Sequence, residues 1–436
     1  MAISTQSPDQ SGTNANSNID QLMLAAQERG DETFETGRYI VTYKETALDN
    51  GLQSLKEQGF VVADARDFTS QALGLDDVGD ADAVLFPEIG AALVGGAAFE
   101  ERGLSVQTEI TEESPIQTIE PEYFVFADDI PGDYLRGFMR AVETITRDLT
   151  GAGSESGLPG LAEAELEPQV LGATWGLVRC KVPPSVRSGV GIRVAILDTG
   201  LDLGHPDFVG RLISSHSFVG QPVQDLNSHG THVTGTACGP KAPAGAKPRY
   251  GIGYKTQIFA GKVLSNTGSG TTATVLAGMN WAIANRCAVI SMSLCSQSPV
   301  QAAFTAAGQA ALNKGCLKIA AAGNASAATG APANSPTIIA VAALDPSLSP
   351  SSFSDFGKID LAAPGRDIFS SVPRPTRYGT KSGTSMAAPH VAGCAALWAE
   401  TSPNLRAMAL WSKLLATAKP LPFPPARVGK GLVQAP

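Results

Sequence analysis

A chain of 436 residues exceeds most single hydrophobic cores, so two folded units are the starting expectation. Hydrophobic residues make up 43% and charged residues 17%, which excludes disorder of the whole, and no apolar run reaches the roughly 18 residues of a membrane-spanning helix. The net charge of −9 hides a division: residues 1 to 167 carry 32 acidic against 9 basic side chains, a net of −23, while residues 168 to 436 carry a net of +14.

The two parts are expected to attract each other. The Lys and Arg residues of the second part are scattered and lack an aromatic-basic motif, so neither nucleic acid nor a membrane is an expected partner. The six cysteines, at 180, 238, 287, 295, 316 and 394, form no CxxC or Cys/His cluster, which argues against zinc. Cys287 and Cys316 each precede a strand-like run and could face each other. The first residues lack a basic segment followed by an apolar one, so a cytoplasmic, reduced protein is expected, with secretion by another route left open.

In chain order, residues 1–36 read as a polar, disordered leader with a short helix at Ile19 to Ala26. Residues 37–127 read as a small α+β domain. It has a strand at Tyr39 to Lys44, a helix around Leu52 to Gln58, extended runs at Val61 to Phe68 and Ala83 to Phe86, and a closing strand at Tyr123 to Ala127. Residues 128–168 hold an amphipathic helix at 133–149 and a Gly-rich, cuttable linker at 151–160, with a boundary near residue 168.

From 169 to 436 strands and helices alternate. Strands are expected at Val194 to Leu197, Ile258 to Val263, Val289 to Leu294 and Leu317 to Ala322, with helices at His229 to Cys238, Thr272 to Asn285, Val300 to Lys314 and Ser385 to Glu400. This alternation predicts an α/β fold, a mostly parallel sheet with helices on both faces. Functional groups in such folds sit at the carboxyl ends of strands and the amino ends of helices.

Four segments obey that rule. Asp198 ends an apolar strand before Thr199 and Gly200, where a carboxylate can orient an imidazole. His229 opens a helix of small residues, with His232 one turn on as the packing residue of the two. Ser385 lies in the first turn of a helix, where free N–H groups and the dipole favour negative charge. Asn324 closes the run Ala320 to Asn324 at the end of the strand Leu317 to Ala322, with an amide donor of the kind a developing oxyanion needs. Taken singly, Asp198 reads more readily as a strand-end Asp, His229 as a structural His and Ser385 as an ordinary N-cap, while Asn324 is a signal of moderate specificity. Their order and settings together point to nucleophilic acyl transfer.

The motifs Asp198-Thr-Gly200, His229 to Thr236, Ala320 to Asn324 and Ser382 to Gly393 resemble the subtilase family over about residues 170 to 436. Gly251-Ile-Gly-Tyr-Lys-Thr-Gln-Ile and Ser351-Ser-Phe-Ser lean toward its proteinase K branch. The resemblance implies Asp198 as orienting carboxylate, His229 as base and acid, Ser385 as nucleophile, and Asn324 with the Ser385 amide as oxyanion hole.

It also implies that Gly268, Ser269 and Gly270 on one side, and Ser293, Leu294 and Cys295 on the other, take an extended peptide as an added strand. Cys295 stands where the family has a Gly and is expected to narrow the primary specificity pocket. Because Asn324 to Thr337 contains no acid, a basic residue before the cut is not expected.

No cofactor is expected for the chemistry. Asp207 matches a calcium ligand of the subtilisin branch, but its companion loop is missing. Asp360 with the carbonyls of Pro336 and Ile338 resembles a calcium site of the proteinase K branch, or else Asp360 is salt-bridged. The front domain resembles the subtilase propeptide, an intramolecular inhibitor. The expectation is therefore a serine endopeptidase acting on polypeptides and made as a self-inhibited zymogen. A peptide-maturation protease or macrocyclase and an inactive binding protein on the same scaffold are the alternatives.

Overall fold

The computed structural model describes residues 13–30, 34–102, 114–127 and 172–436. The helix expected at 133–149, the linker at 151–160 and the boundary near 168 lie outside the described residues.

In the leader, residues 13–30 are ordered beyond the short helix expected there. The Asn18 side chain accepts from the Gln21 backbone N–H while the Gln21 side chain accepts from the Asn18 N–H, a reciprocal cap that starts the helix Ile19–Glu28. Ile19, Leu22, Met23 and Ala26 fall on one buried face and pack with Phe124, Phe126 and Val219. The short helix expected at Ile19 to Ala26 is thus present and extends to Glu28; four apolar residues at the right period suffice once a partner surface exists.

Strands β1 (Glu35–Tyr43), β2 (Val62–Asp64), β3 (Ala83–Phe86), β4 (Ala91–Val94) and β5 (Ile116–Ala127) form a sheet in the order β2-β3-β4-β1-β5. Val41, Leu85 and Val94 on one face pack with Leu55, Ala98 and Phe99 of the helices Leu48–Glu57 and Gly96–Glu101. Ile40, Val84, Phe86 and Leu93 on the other face join a core that includes two helices of the following unit, Thr272–Ala284 and Ala302–Asn313. The first unit is thus seated on the second through a shared apolar layer.

The second unit contains β6 (Arg193–Asp198), β7 (Ile213–Ser217), β8 (Gln257–Lys262), β9 (Ser269–Thr271), β10 (Val289–Met292), β11 (Leu294–Cys295), β12 (Leu317–Ala321), β13 (Ile339–Leu344) and β14 (Leu361–Pro364). Seven of these make an all-parallel sheet in the order β14-β13-β12-β10-β6-β8-β7.

A parallel strand covered on both faces is apolar on both, and in β6 the alternation sorts its side chains. Val194 and Ile196 pack with the helices His229–Cys238 and Thr384–Thr401, while Ala195 and Leu197 pack with Thr272–Ala284 and Ala302–Asn313. The expected α/β architecture is therefore observed. A hairpin of β15 (Ile368–Ser371) and β16 (Tyr378–Lys381) completes the unit.

β5 joins the two units. Its first half pairs with β1, but its end pairs with β9 through Phe124–Thr271, Val125–Gly270 and Phe126–Ser269, and with β11 through Ala127–Leu294 and Phe126–Cys295. Two carboxylates on this strand meet helix N-termini, whose first N–H groups have no intrahelical partner. Glu120 accepts from the Ala302 and Ala303 N–H groups at 2.8 and 2.7 Å, and Glu122 accepts from the Ala273 N–H at 2.9 Å. Glu122 also forms a buried pair with Arg38, 2.6 Å from Nε. The acidic front part thus docks partly on helix dipoles, with Lys314 and Glu88 adding an ion pair across the units.

Candidate active site

Asp198 is placed by β6, whose last residue it is, and is almost fully buried. Its Oδ1 accepts from the Thr199 N–H at 2.7 Å and from His229 Nδ1–H at 2.8 Å. A carboxylate on Nδ1 fixes the tautomer in which Nε2 is the acceptor. The turn after Asp198 needs a glycine. Gly200 has φ of +107°, and a Cβ there would lie 2.1 Å from the Val223 carbonyl oxygen.

His229 begins its helix after Ser228, which has a left-handed φ of 87° and makes no side-chain cap. The cap comes instead from Asp225, whose Oδ1 accepts from the Asn227 and Ser228 N–H groups and whose Oδ2 accepts from the Thr231 N–H. Asp225 Oδ1 also takes the Thr199 hydroxyl at 3.0 Å, so one carboxylate ties the Asp198 turn to the His229 helix. Beneath them the buried Lys262 ammonium donates to the Thr199 carbonyl and to Asn266 Oδ1. Burial pushes this lysine down to about 8, with Asp225 and Asp198 pulling the other way. Neither Asp225 nor Lys262 was singled out in the sequence. An Asp four residues before the first helical residue was the legible signal for the former.

Ser385 is the second residue of the helix Thr384–Thr401 and is fully buried. Pro389 lies four residues on and has no N–H to give to the Ser385 carbonyl. The Ser293 hydroxyl donates to that carbonyl instead, at 2.8 Å, while Ser385 Oγ lies 3.4 Å from the Ser293 carbonyl oxygen. Asn324 is oriented by the same helix start. Its Oδ1 accepts from the Thr384 N–H at 2.9 Å and from the Thr384 hydroxyl at 3.1 Å. A backbone N–H meets only an acceptor, so the amide is pinned with its NH2 end as the remaining donor. His232 instead gives Nε2 to the Ile368 carbonyl at 2.8 Å, in keeping with the packing role expected for it.

The edge segments singled out in the sequence, Gly268 to Gly270 and Ser293 to Cys295, flank the end of β5. The Ala127 N–H donates to the Gly268 carbonyl at 2.7 Å, and Val125 is completely buried. Cys295 narrows the adjoining space. A Cβ on Gly323 would lie 3.2 Å from its sulfur, and one on Gly330 would lie 2.5 Å from it. The thiol therefore fills the gap between two glycine walls.

The absence of acid from Asn324 to Thr337 does not make this region free of acid, because Asp355 arrives from a later turn. Its Oδ2 would be 2.1 Å from a Gly323 Cβ, and Gln297 Nε2 donates to it at 2.9 Å while the Ala327 N–H takes Oδ1. Burial raises its carboxyl.

The candidate calcium ligands Pro336, Ile338 and Asp360 do not fit a metal ion. The Lys358 ammonium donates to the Ile338 carbonyl and to Asp360 Oδ2, the latter at 2.6 Å, so a cation already occupies the oxygens that calcium would need. Of the two readings for Asp360, the salt bridge is the one observed. Asp207 is likewise spent on protein donors, accepting from the Tyr250 and Tyr378 hydroxyls and the Ala244 N–H. All six cysteines are buried and free.

Residues 189–431 match the Subtilase family of S8 peptidases. The alkaline protease of Alkalihalobacillus alcalophilus is 36% identical over 280 residues, covering 63% of this chain and 71% of the relative. Subtilisin Savinase of Lederbergia lenta is 37% identical over 268 residues, 60% of this chain and 96% of the relative. Subtilisin E of Bacillus subtilis (strain 168) is 38% identical over 256 residues, 56% and 65% respectively. These are subtilisins and alkaline proteases, so the lean toward the proteinase K branch is not carried further. With the fold, the order of its motifs and these relatives in agreement, the chain belongs to the Subtilase family and is a subtilisin-like serine endopeptidase.

Proposed function

We propose that Asp198, His229 and Ser385 carry out the hydrolysis, with Asn324 and the Ser385 N–H as the oxyanion hole, and that residues 37–127 inhibit the peptidase until they are released. Subtilases need no cofactor for catalysis. Ser385 Oγ attacks the scissile carbonyl carbon as His229 Nε2 takes its proton, and Asp198 stabilises the imidazolium from Nδ1. The negative charge that develops on the carbonyl oxygen meets the Asn324 amide and the Ser385 N–H in the first turn of the helix. Collapse breaks the C–N bond, with the His229 proton passing to the leaving amine. Water then repeats the sequence on the acyl ester.

The observation that carries the inhibitory half is the seating of Phe124 to Ala127 between β9 and β11. Ala127 pairs with Leu294, the neighbour of Ser293, whose carbonyl is 3.4 Å from Ser385 Oγ. The strand thus occupies the position of a substrate on the acyl side of a cut. Glu120 and Glu122 on two helix ends, and the helix Ile19–Glu28 over Phe124 and Phe126, hold it there.

Expression of the wild type and Ser385→Ala, following chain length and casein hydrolysis, tests both halves. The wild type is expected to shorten, with a new terminus within residues 128–172, and to digest casein; Ser385→Ala stays full-length and inert. A wild type that remains inert after its front domain is removed would overturn the assignment of the catalytic residues.

A further inference from the structure

We propose that Lys358 is a built-in, tethered substitute for a metal ion, which fastens the Asn324–Ile338 loop of the peptidase without calcium. The oxygens it holds are those of a cation site: the Ile338 main-chain carbonyl, which closes the loop after Asn324, and the Asp360 carboxylate at the entry to β14. Asp360 is itself fixed, because Oδ2 accepts from the Ala340 N–H at 2.8 Å and its carbonyl accepts from the Lys430 N–H at 2.9 Å.

A hard divalent cation requires six to eight oxygens at about 2.3–2.6 Å. Here the Ile338 carbonyl and the Asp360 carboxylate supply protein oxygens that water could complete, but the space beside them is filled by an ammonium that donates and never accepts. Two cations cannot share one carboxylate and one carbonyl at such distances, so the lysine excludes the metal by charge as well as by volume. Lys358 lies two residues before Asp360 and its ammonium sits 5.9 Å from the Trp411 ring. The stem therefore keeps its charge near the site at a high effective concentration that no chelator can lower. The loop so fastened carries Asn324 at its start and Gly330 in the wall beside Cys295, which ties the pin to the shape of the substrate cleft.

The test uses the full chain carrying Ser385→Ala, so that self-cleavage does not intervene, with terbium as a luminescent calcium probe excited through tryptophan. The parent is expected to stay at background. Lys358→Ser should be about tenfold brighter, falling back to background when Asp360→Asn is added and dimming when Trp411→Phe is added. In parallel, the melting temperature of the parent should be equal in EGTA and in calcium. That of Lys358→Ser should be about 5 °C higher with calcium at about 100 times its Kd, and unchanged by magnesium.

Asp360→Asn with Lys358 in place should lower the melting temperature equally in EGTA and in calcium, a comparison that holds even if Lys358→Ser does not fold. Terbium bound by the parent in an Asp360-dependent way, a folded Lys358→Ser that takes up no cation, or an Asp360→Asn defect confined to calcium buffer would each overturn the proposal.

Discussion

Replacing Leu22 by alanine asks how much the helix Ile19–Glu28 contributes to holding the strand Phe124 to Ala127 in the cleft. Leu22 is fully buried, and it lies among Phe124 on its own side and Phe218, Val219, Thr271 and Thr274 of the peptidase. A buried Leu→Ala change costs about 2–5 kcal/mol, transfer and cavity terms together. Part of that contact survives release, because Phe124 leaves with the helix. If about half belongs to the docked state, docking weakens by about 1–2.5 kcal/mol, or roughly 5- to 70-fold in the release equilibrium.

The readout is the lag before casein hydrolysis in freshly prepared protein, which should shorten by a comparable factor. Val125→Ser, at the buried residue paired with Gly270, serves as the positive control. If Val125→Ser shortens the lag while Leu22→Ala leaves it unchanged, the helix is not part of the restraint and the reasoning fails.

Asn324→Ala should lower kcat by about 10²- to 10³-fold with little change in KM, since the amide is needed only as negative charge develops; an unchanged kcat would remove it from the oxyanion hole. Cys295→Gly reopens the space between Gly323 and Gly330, and hydrolysis of peptides with a large apolar residue before the cut should rise by about tenfold or more relative to alanine. An unaltered preference would show that the thiol does not bound the pocket.

His390 supplies a pH prediction: burial in the Ser385 helix pushes its imidazole down to about 4, although Nδ1 donates to the Met386 carbonyl. Between there and its ordinary value near 6.5, the unfolded chain binds a proton that the folded chain does not. Its contribution is therefore complete above pH 6.5 and declines on acidification, by about 3 kcal/mol near pH 4. Urea unfolding of the Ser385→Ala protein at pH 7 and 4.5 should show this loss, and His390→Asn should diminish it; an equal loss in both would exclude His390 as its source.

The alternation of strand and helix from Val194 to Glu400 carried most of the peptidase fold, because period and burial are properties of local sequence. It did not reveal β7, a polar edge strand, or β13 and β14, whose short Ala-rich runs suit a strand and a helix equally well. Asp198, His229, Asn324 and Ser385 were legible because each stands at a strand end or helix start, where the backbone itself dictates residue type.

Tertiary structure alone decided what those residues touch. Asp225 and Lys262 hold Thr199, next to Asp198, across sequence gaps of tens of residues, and Asp355 reaches the Gly323 backbone beside Cys295 from outside the segment in which an acid was sought. The leader illustrates the same limit, since four apolar residues mark a face but not the strand it covers. So does Lys358: the sequence offered Asp360 a metal or a salt bridge, and only the path of a lysine stem over one intervening residue chose between them. Local chemistry fixes which groups can act, whereas the pairing of distant segments, set by burial of the whole chain at once, fixes which of them meet.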